Sequence, residues 1–123
     1  MATVLVVEDN EALRQLVVML LQQKGHDVLW ASNGLEGLMV YSSYRAHVGL
    51  VLTDIDMPQM NGIGLATRIR ALDPSRKILF MSGAASDNPN GLGNYPLLSK
   101  PFRPEQLIAV VEGALKAQSE PVR

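Results

Sequence analysis

Short apolar runs alternate along the chain with longer stretches in which apolar residues recur every three or four positions. The runs are rich in β-branched and aliphatic residues, which is typical of strands buried on both faces of a sheet. Five strands are predicted, at residues 3–7, 28–31, 48–53, 78–81 and 97–98. The stretches between and after them have the spacing of amphipathic helices. Their predicted buried positions are Leu13, Leu16, Val17, Leu20 and Leu21; Leu35, Leu38, Met39 and Tyr41; Leu65, Ala66, Ile69 and Leu72; and Leu107, Val111, Ala114 and Leu115.

This alternation of strands and helices predicts a small α/β domain in which parallel strands are joined by right-handed crossovers. The domain is expected to cover residues 1–117, with 118–123 as a loose tail. One segment, 83–96, departs from the pattern because it is rich in glycine, proline and asparagine. It is expected to form a loop where the alternation would place a helix, and residues 83–95 are expected to be mobile and to recognise a partner.

Composition narrows the classes of function. Eleven basic and twelve acidic side chains give a net charge of −1, which argues against a nucleic-acid-binding protein, since such a protein would be expected to carry a basic stripe. The lack of cysteine excludes a disulfide framework, a thiolate metal site and a cysteine nucleophile. No apolar run approaches the roughly 18 residues of a membrane span. The first strand begins at once, without a signal-peptide pattern, so a cytoplasmic location is expected.

Reactive side chains follow four of the five predicted strands. Glu8 and Asp9 follow the first, Asp54 the third, Ser82 the fourth and Lys100 the fifth. In an open parallel sheet, ligands bind outside the carboxyl ends of the strands. The pattern therefore predicts three carboxylates, a hydroxyl and an ammonium group at one crevice.

Carboxylates held this close together favour binding of a cation, because they would otherwise repel one another or take up protons. With only oxygen ligands available, Mg²⁺ is the predicted ion. The cation, Lys100 and Ser82 could surround a phosphoryl group, and an aspartate there can act as a nucleophile and form an acyl phosphate.

Each of these residues also has an ordinary structural interpretation. Glu8 and Asp9 could cap the following helix. Asp54 and the Ser82-Gly83 pair could be turn residues, and Lys100 could be a surface lysine before a turn proline. Their joint placement at strand ends favours the functional interpretation. His26 and His47 lie at the opposite ends of their strands, and Trp30 and the methionines, including Met19, Met39 and Met81, are expected to serve in packing.

The chain resembles the receiver domains of response regulators in two-component signalling, from Val4 to about Lys116. The motifs that carry the resemblance are Val6-Val7-Glu8-Asp9-Asn10, Leu52-Thr53-Asp54-Ile55-Asp56-Met57-Pro58 with Gly62, Met81-Ser82-Gly83, and Ser99-Lys100-Pro101-Phe102. The resemblance implies a flavodoxin-like, doubly wound five-stranded parallel sheet with strand order 2-1-3-4-5. It also implies a phosphoacceptor domain that assists its own phosphorylation and dephosphorylation rather than an enzyme.

By the same resemblance, Asp54 would accept a phosphoryl group from the phosphohistidine of a histidine kinase or a histidine phosphotransfer protein. Asp9, Asp54 and the backbone carbonyl of Asp56 would bind Mg²⁺, with Glu8 assisting through water. Ser82 and Lys100 would contact the phosphoryl oxygens. The Lys100–Pro101 peptide is expected to be cis, and Pro58 and Gly62 would shape the loop over the site.

Two features depart from the family pattern. Leu97 stands where the family usually has an aromatic residue that takes part in switching, and Tyr95 lies two residues earlier. The family's fourth helix, between the fourth and fifth strands, is expected to be shortened or absent. The resemblance therefore does not predict whether this chain keeps the family's usual output surface and dimerisation mode, and the oligomeric state is not predicted. Residues 82–83 and 99–105 resemble receivers of hybrid histidine kinases, although a free-standing regulator fits equally.

Three other classes of function fit the sequence less well. A receiver-like interaction module that works without phosphorylation is the main alternative, and the presence of Asp9, Asp54, Ser82 and Lys100 argues against it. A haloacid-dehalogenase phosphatase is disfavoured because Pro58 stands where that family has Thr or Val, and because its motif lies on the first strand. A dinucleotide-binding domain is disfavoured because no glycine-rich turn follows the first strand.

Overall fold

A five-stranded parallel sheet organises the protein. The computed structural model describes residues 3–83 and 96–116. The strands are β1 (Thr3–Val7), β2 (Asp27–Ala31), β3 (Val48–Asp54), β4 (Lys77–Ser82) and β5 (Leu97–Ser99). The helices in these ranges are α1 (Glu11–Gln23), α2 (Gly34–Tyr44), α3 (Gly62–Leu72) and α4 (Pro104–Lys116). The strand order is β2-β1-β3-β4-β5 and every pairing is parallel, which confirms the predicted fold class.

Several predictions concern parts of the chain outside the described residues. Most of the loop predicted at 83–96 in place of the family's fourth helix, including Tyr95, lies in 84–95 and so outside the described residues. The predicted tail, 118–123, also lies outside the described residues. Of the described helices, none is long and apolar enough to cross a membrane.

Asparagines fix the starts of three helices. Asn10, Asn33 and Asn61 have extended backbones, and each side chain accepts a hydrogen bond from the backbone N–H three residues later. Such caps satisfy N–H groups that a helix leaves without intrahelical partners. Because α1 and α3 follow the carboxyl ends of β1 and β3, their caps also fix the loops that carry the acidic residues. Just beyond the other end of α1, Gly25 has a φ of 90°, the left-handed conformation in which helices commonly end.

The sheet separates two apolar cores. On one face, α2 and α3 pack over a cluster that includes Leu5, Val51 and Phe80. On the other face, α1 and α4 pack over Val6 and Leu79 among others. Strands β1, β3 and β4 are buried on both faces along nearly their whole length, which explains their continuous apolar sequence.

The predicted buried faces of the helices were partly wrong. Five residues assigned to the core are exposed: Leu16, Met19, Leu35, Met39 and Leu72. In α2, Tyr41 is buried as predicted, and Gly34 and Gly37 complete the packing face in place of Leu35 and Met39. A Cβ at Gly37 would lie 3.0 Å from a methyl carbon of Val7, so the helix packs closely through small residues. The helical spacing of large apolar side chains therefore predicted this face only in part: Leu38 packs against the core, whereas Met39 is 69% exposed.

Candidate functional site

Three carboxylates meet at the carboxyl edge of the sheet. Glu8 and Asp9 follow β1, and Asp54 is the last residue of the neighbouring strand β3. One carboxylate oxygen from each residue lies within 4.8 Å of the other two. Glu8 and Asp54 are buried, whereas Asp9 is exposed to solvent. The structure therefore brings together the predicted acidic cluster, with one side open to a ligand.

Lys100 completes this cluster from β5. Its Nζ lies 3.0 Å from Oε1 of Glu8 and 3.2 Å from Oδ2 of Asp54. The backbone N–H of Lys100 donates to the carbonyl oxygen of Ser82 at 2.9 Å, which ties the loop after β5 to the end of β4. The Lys100–Pro101 peptide is cis, as predicted.

Burial dominates the electrostatics of the site. Loss of water raises the pKa of the Glu8 carboxyl and the pKa of the Asp54 carboxyl above their usual values, and the hydrogen bonds that both accept offset this only in part. Burial alone would lower the pKa of Lys100. The hydrogen bond to Glu8 and the negative charges of Asp54 and Glu8 outweigh burial, so the pKa of Lys100 is raised. A bound cation would relieve the unfavourable burial of the two carboxylates.

Ser82 is the last residue of β4, the strand next to β3, and Asp56 lies in the loop after β3. The Ser82 side chain is buried, and its Oγ lies 3.4 Å from Oδ2 of Asp56. The backbone N–H of Asp56 donates to Oδ1 of Asp54 at 3.3 Å. The Asp56 side chain is exposed and does not belong to the carboxylate cluster. The backbone carbonyl oxygen of Asp56, rather than its side chain, is the predicted Mg²⁺ ligand, and this role stays a prediction.

The loop after Asp54 is folded tightly over the strand end. The backbone N–H of Gly62 donates to the carbonyl oxygen of Ile55 at 2.9 Å. A Cβ at Gly62 would overlap the carbonyl oxygen of Asp54 and lie 2.9 Å from Cα of Ile55. Gln59 adopts a left-handed conformation, with a φ of 68°. Only glycine fits at position 62 without moving the backbone of Asp54.

The donor set fits Mg²⁺. All three clustered ligands are carboxylate oxygens, which a hard cation prefers. Mg²⁺ also keeps several of its waters, and the exposed side of the cluster at Asp9 leaves room for them. The arrangement could hold a divalent cation beside a nucleophilic carboxylate and a fixed ammonium group.

One residue at the site was not predicted from the sequence. Arg14, in the second turn of α1, is buried, and its Nη1 donates to the backbone carbonyl of Glu8 at 3.0 Å. The signal was present in the sequence, since Arg14 lies three residues before Val17 and seven before Leu21 on the buried line of the helix. A charged residue at such a position needs a polar partner.

Two other predictions concern residues away from the site. His26 and His47 precede β2 and β3 and so lie at the ends of the strands opposite the carboxylates, as predicted. His26 pairs with Glu112 of α4, with Nε2 3.2 Å from Oε2. Trp30 lies on the outer strand β2 and is 51% exposed, so it belongs to the edge of the sheet rather than to the core.

The comparisons with known proteins agree with this geometry. The family model for the response regulator receiver domain matches residues 4–112. The chain is similar to the sensor kinase CckA of Brucella abortus (strain 2308), with 36% identity over 121 residues, which cover 95% of this chain and 13% of that protein. It is also similar to the response regulator receiver protein CpdR of the same organism, with 35% identity over 122 residues, covering 95% of this chain and 99% of CpdR.

A solved structure extends the comparison to three dimensions. The response regulator receiver domain protein from Clostridium thermocellum superposes with a TM-score of 0.85 at 26% identity and covers 94% of each chain. The chain belongs to the response regulator receiver domain family of two-component signalling. Within CckA it corresponds to a small part of a much longer protein, whereas it spans nearly all of CpdR.

Proposed function

We propose that Asp54 is the phosphoacceptor of this receiver domain and that it takes its phosphoryl group from a phosphohistidine with the help of Mg²⁺. The observation that carries this proposal is the environment of the Asp54 carboxylate. Its Oδ2 lies 3.2 Å from the ammonium of Lys100, and it belongs to the three-carboxylate cluster with Glu8 and Asp9. A nucleophile, a fixed cation and a set of metal ligands therefore meet at one point.

The proposed transfer is a single displacement at phosphorus. A carboxylate oxygen of Asp54 forms a bond to the phosphorus atom as the phosphorus–nitrogen bond of the phosphohistidine breaks. The electron pair of that bond stays on the imidazole nitrogen, which takes up a proton from solvent. The products are an aspartyl phosphate and a neutral histidine.

Chain residues supply the surroundings for this step. Asp9 and Asp54, with the backbone carbonyl of Asp56, would hold Mg²⁺, and Glu8 would assist through water. Bound there, the ion would neutralise the charge that otherwise keeps a phosphoryl group away from a carboxylate. Lys100 would exchange part of its contact with Asp54 for a phosphoryl oxygen. The Ser82 hydroxyl, at the end of the adjacent strand, would donate to another.

The same groups would assist loss of the phosphoryl group to water, so the domain would take part in its own dephosphorylation without being a turnover enzyme.

Receiver domains interact with histidine kinases and phosphotransfer proteins. We propose such a protein as the donor for this chain. Phosphohistidine is made from ATP inside the cell, and we place the domain in the cytoplasm on that ground.

Intact-mass measurement tests the proposal. Wild-type protein, Asp54→Asn and Asp56→Asn would be incubated with acetyl phosphate, with and without Mg²⁺. We expect one Mg²⁺-dependent phosphoryl adduct on the wild type and on Asp56→Asn, and no adduct on Asp54→Asn. An adduct that persists in Asp54→Asn would contradict the assignment.

The alternative function is an interaction module that works without phosphorylation. It would be favoured if the folded wild-type protein bound Mg²⁺ but formed no adduct with acetyl phosphate or with a phosphohistidine donor. The close contact of Asp54 with Lys100 and the metal-ligand cluster favours the phosphoacceptor.

A further inference from the structure

Arg14 connects the acidic site to the outer edge of the sheet. Its guanidinium carbon lies 4.6 Å from the centre of the Trp30 ring, and its Nη1 donates to the carbonyl oxygen of Glu8 at 3.0 Å. Only 8% of Arg14 is exposed, although the residue is charged. One buried cation therefore contacts both an indole face on β2 and the backbone of a residue in the acidic cluster.

The hydrogen bond from Arg14 is accepted by the peptide group that connects two residues of the acidic cluster, Glu8 and Asp9. The carbonyl of Glu8 belongs to the peptide bond that joins Glu8 to Asp9, so this planar unit sets the direction in which the Asp9 side chain leaves the backbone. The N–H of Glu8 donates to the carbonyl oxygen of Ala31 on β2 at 3.2 Å. The turn between β1 and α1 is thus fixed by β2 on one side and by Arg14 on the other.

Trp30 holds the guanidinium in place. The ring face attracts the cation, and the contact limits the orientations that the long arginine side chain can adopt. The Glu8 carbonyl then faces a fixed donor, whereas water or a freely rotating side chain would leave the peptide less constrained.

We propose that Arg14 is a positioning residue for the metal site and that it orients the Glu8–Asp9 peptide with the support of Trp30. This inference rests on the proposed function, because it concerns affinity for the Mg²⁺ that the phosphoacceptor uses. Arg14 acts through the backbone of the ligand residues and touches neither the ion nor the phosphoryl group.

Mg²⁺ affinity, measured by isothermal titration calorimetry on the folded protein, tests this role. Arg14→Met keeps the apolar stem but removes the donor, and we expect it to weaken Mg²⁺ binding by about tenfold, as is usual when a residue that orients metal ligands is lost. Arg14→Lys keeps a cation and a donor, and it should restore part of that loss. Gln15→Met, at the exposed neighbouring position, is the matched control and should bind like the wild type.

A second readout follows the peptide itself in metal-free protein. Arg14→Met should change the carbonyl carbon shift of Glu8 and the amide shift of Asp9 in nuclear magnetic resonance spectra, and Gln15→Met should leave both unchanged. A purely structural role would lower the melting temperature, and loss of the hydrogen bond would by itself change the Glu8 shift, but neither would change Mg²⁺ affinity. Unchanged Mg²⁺ affinity in Arg14→Met would overturn the proposal.

Trp30→Leu keeps the proposal testable if Arg14→Met does not fold. Its half-exposed ring can be removed without opening the core, and we expect Mg²⁺ binding to weaken by about threefold, in line with a partly exposed cation–π contact. Unaltered Mg²⁺ binding in Trp30→Leu would then reject the proposed role of Arg14 and Trp30.

If the wild type itself binds no Mg²⁺, the proposed function fails and this inference fails with it. If the wild type binds Mg²⁺ and Arg14→Met binds it equally well, only the inference about Arg14 is contradicted.

Discussion

The ammonium of Lys100 lies 3.2 Å from Oδ2 of Asp54, the proposed phosphoacceptor. The same nitrogen lies 3.0 Å from Oε1 of Glu8. One lysine therefore balances two buried carboxylates at the carboxyl ends of two different strands. This arrangement makes the stability of the domain sensitive to the lysine and to the protonation of its two partners.

Lys100→Met is expected to lower the free energy of unfolding at pH 7, without added metal, by about 2 kcal/mol. The cost lies below that of breaking a fully buried ion pair because the Lys100 side chain is partly exposed. Chemical denaturation measures the change, and Lys24→Met, at an exposed position at the end of α1, is the control.

The cost of Lys100→Met should also depend on pH. Because the pKa values of Glu8 and Asp54 are raised, both carboxyls become neutral early as the pH falls, and the ion pairs disappear. At the alkaline end, the raised pKa of Lys100 means that its contribution to stability is present below its usual pKa and is lost as the pH rises through the folded value. At the acid end, the contribution is limited by the protonation of the two carboxyls. The difference between wild type and Lys100→Met should shrink at acid pH. A difference that stays constant down to the pH at which both carboxyls are neutral would contradict the pairing.

Added Mg²⁺ should stabilise the folded protein by mass action. At a Mg²⁺ concentration ten times the dissociation constant, the free energy of unfolding should rise by about 1.4 kcal/mol. Asp9→Asn removes one predicted ligand at an exposed position and should abolish most of this gain, whereas Glu11→Gln, one residue beyond Asn10, should keep it. Thermal unfolding at a series of Mg²⁺ concentrations measures the effect. Equal stabilisation of Asp9→Asn and wild type would exclude Asp9 as a ligand.

Gly62→Ala is expected to lower the free energy of unfolding by about 2 kcal/mol or more and to slow phosphorylation. The added Cβ would overlap the carbonyl oxygen of Asp54, so the strand end would have to move. Gly113 in α4 is the matched control, since a Cβ there meets nothing within 4 Å. Gly113→Ala should stabilise the protein by about 0.5–1 kcal/mol through helix propensity. Denaturant titration of both variants gives the comparison, and a neutral Gly62→Ala would contradict the close approach.

Tyr41 contributes to stability at the end of the domain opposite the site. Its hydroxyl donates to Oδ2 of Asp73 and accepts from Nε of Arg76 at 2.9 Å, and Arg45 donates to Asp73 at 2.8 Å. Tyr41→Phe leaves two charged partners without this hydroxyl and should cost about 1–2 kcal/mol. Denaturation of the folded variant at neutral pH measures this cost.

The hydrogen bond from Tyr41, followed by that from Arg45, lowers the pKa of the Asp73 carboxyl. The stability that this carboxylate provides is therefore present above its usual pKa and is lost as the pH falls through the lower folded value. The loss of stability in acid should be smaller in Tyr41→Phe. Parallel acid denaturation curves for the two proteins would show that the hydroxyl does not influence Asp73.

The sequence was most informative about the fold and about which residues meet. Continuous β-branched runs predicted strands buried on both faces, and the position of Asp54 after such a run placed it at the carboxyl edge of the sheet. Helix faces were harder to predict because Gly37 and Arg14 occupy packing positions in place of aliphatic residues. Close packing through a glycine and a buried cation over Trp30 both depend on partners distant in sequence, which periodicity does not reveal.

Leu97, at the position where the family usually has a switching aromatic residue, also has packing partners that sequence periodicity does not reveal. Leu97 is half-buried and packs with the core beneath α2 and α3. Its identity was read from the sequence, but its packing partners depend on the register of β5 against β4, where it pairs with Phe80.

The proposed phosphoryl transfer to Asp54 is tested most directly by mapping the modified residue. The wild-type protein would be phosphorylated with Mg²⁺ and acetyl phosphate, the acyl phosphate reduced with borohydride, and the product mapped by peptide mass spectrometry. We predict that the reduced residue, homoserine, is found at position 54 alone. Reduction at Asp9 or Asp56, or its complete absence in phosphorylated protein, would contradict the account.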